Sequence, residues 1–421
     1  MHLWILSHNF PPESNALAHR TFENAREWVK GGHSFDVLTD VPHFPEGRVY
    51  RGYANRFQHE ETSEGISVYR VPILPAENRN VFRRTVSYVS YLLSLLLFSG
   101  RVERKPTAIF ASTPQIFTAL AGYLLSLRYR VPLVLEVRDL WPESISAVGA
   151  VSSAFLLRPV QWLADHLYRH ARLIVVLTDA FRTVIAGRGI DPDKIVVSPP
   201  GVCSDWLEQA VTPEAVERLR AEHHLEGKFV VSYIGTIGMA HGVDLMLEAA
   251  RRCKNPEVAF AVVGTGAARR DLEKELAERP CPNFYLFSKQ PRELIPVWLG
   301  VTSLSLVLLK DKPVFETVIP SKLIEAMGAG KPVVLGIRGE AARLLRRAQA
   351  GVCFAPGQVD ELVAAVEQLA GDPAALALYA ENGHRYARRH HDRGVLAVEL
   401  WKHLEQALAP VTEDESLSLP A

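Results

Sequence analysis

Cysteine is scarce in this 421-residue chain, and the four present follow no pattern. Cys203, Cys253, Cys281 and Cys353 show no C-x-x-C spacing, so neither a disulfide framework nor a cysteine zinc site is indicated, which fits a reducing cytosol. Net charge is missing too: 47 Lys plus Arg balance 47 Asp plus Glu, and overall charge offers no case for a nucleic-acid partner. The start, MHLWILSHNFPPES, has neither the basic opening nor the small-residue cleavage site of a signal peptide and reads as a first buried strand. No H-E-x-x-H, no G-x-x-x-x-G-K-[ST] and no full G-x-G-x-x-G after that strand occurs, which disfavours a zinc hydrolase, a P-loop enzyme and an NAD(P) or FAD enzyme. The D-x-D in RGIDPDKIVVS, Asp191-Pro192-Asp193, reads as a turn, and His390-His391 in RRHHDRG is expected on a solvated face. No metal and no cofactor are expected.

What is present is the make-up of a globular protein, 48% apolar and 22% charged, long enough for roughly two or three domains. Apolar runs of strand length alternate with amphipathic stretches. Runs 2–8, 35–39, 107–112, 131–137 and 172–178 read as buried parallel strands. Helical stretches at 16–30, 80–99, 115–128 and 154–170 lie between them. SPPGVCSDW (198–206) suits a linker. The alternation restarts with runs 228–235, 258–264, 283–287, 303–309 and 332–336. Two successive α/β sets imply two doubly wound Rossmann-like domains facing a central cleft, where ligands would sit at the carboxyl ends of the strands. The expected limits are 1–200 for the first domain and 201–385 for the second. A helix at 386–408 is expected to return to the first domain, followed by a disordered tail at 409–421.

One stretch, FETVIPSKLIEAMGAGKPVV (315–334), raises a chemical question. Pro320 suits a first helical turn, which leaves amides near Ile319 to Lys322 unpaired, and such a helix start attracts anions. Lys322 is unfavourable there by itself, by roughly 0.3–1 kcal/mol, unless a phosphate neutralises it. Glu325 follows Ser321 and Lys322 on the same helical face, placed to accept hydrogen bonds from a ribose diol. The alternative is an ordinary β/α helix with a surface lysine. Glycines support the ligand reading: Gly235 and Gly238 in YIGTIGMAHG, and Gly264 and Gly266 in VVGTGAARR, follow strand ends and could bring backbone amides to a phosphate or base. VFRRTVSYVSYLLSLLLFSGRVERK (81–105) is apolar almost all round and bracketed by basic residues. Its apolar part is shorter than the ~20 residues of a bilayer crossing. It reads either as a helix lying on anionic lipid through 80–105 or as one buried against its own sheet.

Together, YIGTIG, VVGTGAARRDLE, NFYLF and VIPSKLIEAMGAGKPVV resemble the family 4 retaining glycosyltransferases of the GT-B fold. SHNFPPESNALAHRTFENAREWVKGGHSFDVLTDVPHFPEG agrees with that family's opening, and VRDLWPESI (137–145) is similar to its O-antigen, capsule and exopolysaccharide branch, including fucosaminyltransferase-like members. The resemblance covers about positions 1 to 405. It implies a hexosyltransferase that takes a nucleotide sugar, UDP-linked by preference, and a lipid-linked saccharide acceptor. The expected location is the cytoplasm, peripheral to the membrane. The diphosphate falls to Lys322 and the helix start, with Val318, Ile319 and Ser321 beside it, and the ribose to Glu325. An acid that the family places eight residues before this glutamate is Thr317 here, with Glu316 one position out of register; either could serve. Thr236 and His241 stand where the family often carries Arg and Lys. Ser14-Asn15-Ala16 replaces a glycine pair and leaves Asn15 as a polar contact. Arg138-Asp139 replaces a His-Asp pair: Asp139 would orient the acceptor, bind the donor sugar or merely cap a helix, and Arg138 would meet acceptor phosphate or an ion-pair partner. Two other readings remain, a UDP-sugar epimerase of the same fold and a non-catalytic nucleotide-sugar-binding subunit.

Overall fold

The computed structural model describes residues 1–77, 81–144, 154–208 and 211–409; the expected tail beyond Ala409 and Arg79, a basic residue just ahead of the 81–105 stretch, lie outside them. In the N-terminal half, β1 (His2–Ser7), β2 (Ser34–Asp40), β3 (Gln58–Glu61), β4 (Ser67–Val71), β5 (Ala108–Thr113), β6 (Leu133–Val137), β7 (Leu173–Val176) and β8 (Ile195–Val197) form one sheet. Its order is β3-β4-β2-β1-β5-β6-β7-β8, parallel throughout except where β3 meets β4. Side chains alternate across such a strand. Leu3 and Ile5 therefore join one core with Trp28 and Trp401, while Trp4 and Leu6 join the other with Tyr91 and Leu95. Burial on both faces is why these strands read as unbroken apolar runs.

The second sheet contains β9 (Phe229–Ile234), β10 (Val258–Val263), β11 (Phe284–Phe287), β12 (Leu304–Leu308), β13 (Val333–Gly336) and β14 (Gly351–Cys353). All are parallel, in the order β11-β10-β9-β12-β13-β14. Strand order reverses at β1/β5 in the first sheet and at β9/β12 in the second, and the crevices there are where ligands enter folds of this kind. The four helices Ala16–Lys30, Val81–Phe98, Ile116–Tyr129 and Ala154–His170 match the expected stretches to within one residue at each end. Along Val81–Phe98, Tyr91, Leu92 and Leu95 are buried in the core while Phe82, Val86, Leu93 and Leu97 are exposed. Among the described residues no helix is long and apolar enough to cross a membrane.

The chain passes between the halves at 199–203 and returns at 391–393. These crossings lie side by side: Val202 N–H donates to the His391 carbonyl at 2.8 Å, and Arg393 N–H donates to the Val202 carbonyl at 3.0 Å. His391 is buried, not solvated as the sequence suggested, because its Nδ1 meets the Pro200 carbonyl at 2.7 Å inside this crossing. The following helix, Arg393–Leu408, packs on Ala16–Lys30. Trp28 Nε1 donates to the Ala397 carbonyl at 2.8 Å, and His33 stacks on Trp401 at 4.1 Å.

Candidate functional site

At the end of β9 the chain turns at Gly235, whose φ of +137° favours glycine. The loops after β9 and β10 then run backbone to backbone. Gly235 N–H donates to the Val263 carbonyl and Ile237 N–H to the Thr265 carbonyl, both at 2.9 Å. A side chain at Gly264 would strike the Gly235 carbonyl, and one at Gly266 the Ile237 carbonyl. The loop packing gives Gly264 and Gly266 a structural reason that the sequence did not show. Both are required by the neighbouring loop, and the Gly235 and Gly264 amides are already paired, to the Val263 and Phe287 carbonyls. What Gly235 provides is room: a Cβ there would lie 3.3 Å from Lys322 Nζ. Gly238 makes similar room for the His241 ring, whose Nδ1 would be 2.9 Å from its Cβ.

Lys322 stands in the first turn of the helix Ser321–Gly328. Pro320 is its N-cap rather than its first helical residue, and no side chain caps the helix. Leu323, Ile324, Ala326 and Met327 anchor the opposite face in the core, which fixes Lys322 and Glu325 toward the cleft, both half-buried. Lys322 Nζ donates to the Tyr233 hydroxyl at 2.6 Å. Burial lowers its pKa to about 7, with Glu325 opposing. Burial also raises the Glu325 carboxyl, against the pull of Arg292. His241 is pushed down to about 3, by burial and then by the Lys322 charge, and its Nδ1 is buried without a hydrogen-bond partner. Thr236 is exposed beside it. The arrangement is a protonatable amine, a neutral imidazole and a carboxylate one turn apart, beneath a glycine turn.

The loop entering this helix departs from the expectation. The Thr317 hydroxyl donates to the Val314 carbonyl at 2.7 Å, and the Thr317 carbonyl accepts from Thr178 of the other half, also at 2.7 Å. Val318 packs on the N-terminal core and Ile319 on the C-terminal one. Their side chains are thus occupied, and only backbone is left for a ligand. Glu316 is exposed, with its backbone against Gly339.

Across the cleft, Asp139 and Arg138 follow β6. Burial raises the Asp139 carboxyl to about 6, with Arg138 opposing. Arg138 is lowered to about 10 by its own burial; its Nη2 donates to the Ala16 carbonyl at 3.1 Å, and its Nη1 is buried without a hydrogen-bond partner. It is therefore no surface ion-pair partner. The helix that Asp139 would cap starts at Glu143 and Ser144, and its continuation from 145 lies outside the described residues. Asn15 caps Ala16–Lys30, its Oδ1 accepting from Ala18 N–H at 2.9 Å, so that oxygen is used locally rather than offered to a ligand. Asp191 Oδ1 accepts from Asp193 N–H at 2.9 Å, the turn its sequence indicated.

Several site residues escaped the sequence reading. In the sequence Tyr233 reads only as part of a strand. Arg292, in the loop after β11, forms an ion pair with Glu23 of the first helix and bears on Glu325. His19, on that same helix, is lowered to about 3 by burial and by Arg292 and Lys289. Arg393 also reaches Glu23, at 3.1 Å. Charges in such segments carry no local motif, and only the tertiary fold brings them to one cleft.

Two protein families match this chain. "Glycosyl transferase 4-like domain" covers residues 15–201 and "Glycosyl transferases group 1" covers residues 216–390. The chain is 26% identical over 384 residues to the putative colanic acid biosynthesis glycosyl transferase WcaI of Escherichia coli (strain K12), spanning 87% of this chain and 92% of that one. It is 30% identical over 271 residues to 2-deoxystreptamine glucosyltransferase of Streptomyces kanamyceticus, spanning 62% and 67%. Among solved structures, Anabaena Alr3699/HepE in complex with UDP-glucose superposes with a TM-score of 0.74 at 18% identity, over 96% of this chain and 100% of that one.

Proposed function

The chain belongs to the group 1 glycosyl transferases with the GT-B fold, and from that premise we propose that it moves a sugar from a UDP-sugar to a lipid-linked saccharide with retention of configuration, in the assembly of a surface polysaccharide. The observation that carries this reading is Lys322, packed against Gly235 and Tyr233 at the β9/β12 reversal and one helical turn from Glu325. The names of the relatives support the polysaccharide setting, and the UDP-glucose bound by the Anabaena protein supports the nucleotide.

In this proposal Glu325 accepts hydrogen bonds from the ribose diol. Lys322 and the first-turn amides of its helix receive the diphosphate, with Arg292 as a further cation. As the bond from the anomeric carbon to the diphosphate breaks, the acceptor hydroxyl bonds to that carbon from the same face, and its proton leaves with the diphosphate. Charge develops on the leaving group, and preorganised cations and amides are worth most there. Asp139, ionised above about pH 6, orients the acceptor or the donor sugar. No metal or cofactor is assigned to the transfer. A cytoplasmic enzyme peripheral to the membrane fits the exposed Phe82, Leu93 and Leu97, with Arg101, Arg104 and Lys105 following them in the chain.

The test is calorimetric titration with UDP, GDP and ADP against wild type, Glu325→Ala and Lys322→Ala. UDP binding weakened about 10-fold or more by each substitution, equivalent to one charged hydrogen bond of roughly 1.5–3 kcal/mol, is the expected result. A folded protein that binds none of the three nucleotides removes the donor site. Conversion of the UDP-sugar without acceptor would point to epimerisation instead, and binding without turnover to a non-catalytic subunit.

A further inference from the structure

A second polar cluster lies away from the donor helix, at the carboxyl ends of β1 and β2. His8 follows β1, Asp40 ends β2, and His43 lies three residues further on. All three are buried, with 5%, 0% and 3% of their surface exposed, and their candidate donor atoms lie within 4.8 Å of one another. His8 Nε2 lies 3.7 Å from Asp40 Oδ2, and His43 Nδ1 lies 3.3 Å from that same oxygen. Both separations exceed an ordinary hydrogen bond between such groups, which closes to about 2.7–3.2 Å. Neither His8 Nε2 nor Asp40 Oδ2 has any hydrogen-bond partner. Buried polar atoms left in that state cost roughly 1–3 kcal/mol each.

The spacing too long for hydrogen bonds suits an ion between the groups. Donors about 2.0–2.2 Å from a tetrahedral centre stand roughly 3.3–3.6 Å from one another. We propose that His8 Nε2, Asp40 Oδ2 and His43 Nδ1 form a binding site for a zinc-class divalent ion. Two imidazoles and one carboxylate favour a borderline transition metal over magnesium or calcium, which take six or more oxygens. Binding requires His43 Nδ1 to give up its 3.1 Å contact with the Val41 carbonyl. Glu13 is 3.8 Å from His43 Nδ1 but already accepts from the amides of His43 and Phe44 at 2.9 and 2.8 Å. It closes the wall of the site, and a water completes the coordination. Tyr88 and Tyr91 pack edge-on to His8 at 4.9 and 5.3 Å and close the other side. Such an ion would tie the loop leading to Asn15 to the loop after β2, a structural role. The sequence expectation of no metal rested on motif spacing, and these ligands come from separate strand ends that only the sheet brings together.

The full chain, stripped with chelator, would be titrated with Co2+ alone and then with Zn2+. Expected are one equivalent of cobalt with the visible ligand-field bands of a four-coordinate site, displacement by zinc, and at least about 10-fold weaker binding in His8→Gln and Asp40→Asn. The surface pair His166 and His170, with rings 4.1 Å apart, is the competing site and is removed in His166→Gln/His170→Gln. No cobalt spectrum in the folded wild type overturns the proposal, whatever the variants do. Binding lost in the surface double variant but kept in His8→Gln overturns it equally. UDP titration of the metal-free protein reads the donor site separately, so the two proposals fail independently.

Discussion

Donor affinity should fall as pH rises from 7 to 9, and Lys322 is the reason. Its pKa in the ligand-free protein is about 7, lowered from 10.5 by burial. The protonated amine is the form that attracts the diphosphate. About half of it is charged at pH 7 and about one-hundredth at pH 9, so the apparent Kd for UDP should rise about 50-fold over that range. The terminal phosphate of UDP, with a second ionisation near 6, is already charged throughout, and Asp139 has completed its titration by pH 7. Calorimetry in buffers of different ionisation enthalpy should also register uptake of about half a proton per UDP at pH 7 and about one at pH 9. Lys322→Arg is the control, because a guanidinium stays charged throughout this range. It should flatten the profile even where its fit is poorer, and it separates Lys322 from Lys331, also lowered, to about 8. A wild-type Kd that stays constant from pH 7 to 9 would refute the lowered Lys322 amine, while UDP binding unchanged in Lys322→Ala would refute its assignment to the diphosphate.

Gly264→Ala drives a methyl group into the Gly235 carbonyl; urea unfolding should show a loss of more than about 1 kcal/mol, with UDP binding weakened as the loops separate. Trp401→Ala empties a buried site against Trp28 and should cost roughly 3–5 kcal/mol, read as a lowered Tm. For Asp139, whose carboxyl titrates at about 6, wild-type kcat/KM should fall towards tenfold per pH unit below 6 as the carboxylate is protonated. Asp139→Asn should lower the plateau and abolish that acid limb. A variant that keeps the limb assigns the titration to another group.

The sheets were legible because their strands are buried on both faces, and unbroken apolar runs between amphipathic helices leave little choice of architecture. β3, QHEE, escaped because it is a polar edge strand. β8 and β14, three residues each, are too short to show a pattern. Lys322 and Glu325 were legible because their relation is local, set by helical periodicity. The packing of Gly264 and Gly266 on the neighbouring loop was not legible: a strand-end glycine looks alike whether a phosphate or another loop approaches it. Arg292, Glu23 and His19 could not be read, since nothing local distinguishes them from surface charges.

The paired crossings have a mechanical consequence. Two chain passages laid side by side at Val202 and Asp392, tied by backbone hydrogen bonds, behave like a door hung on adjacent pins. The halves can swing about that line, while sliding or twisting would tear the pairing. Glu23 then works as the catch. It is held by Arg393 at the hinge and by Arg292 on the opposite leaf, so a swing releases the second contact and keeps the first. The same swing parts Thr178 from the Thr317 carbonyl and loosens the loop that leads to Lys322. Opening the door and freeing the loop ahead of Lys322 would be one movement.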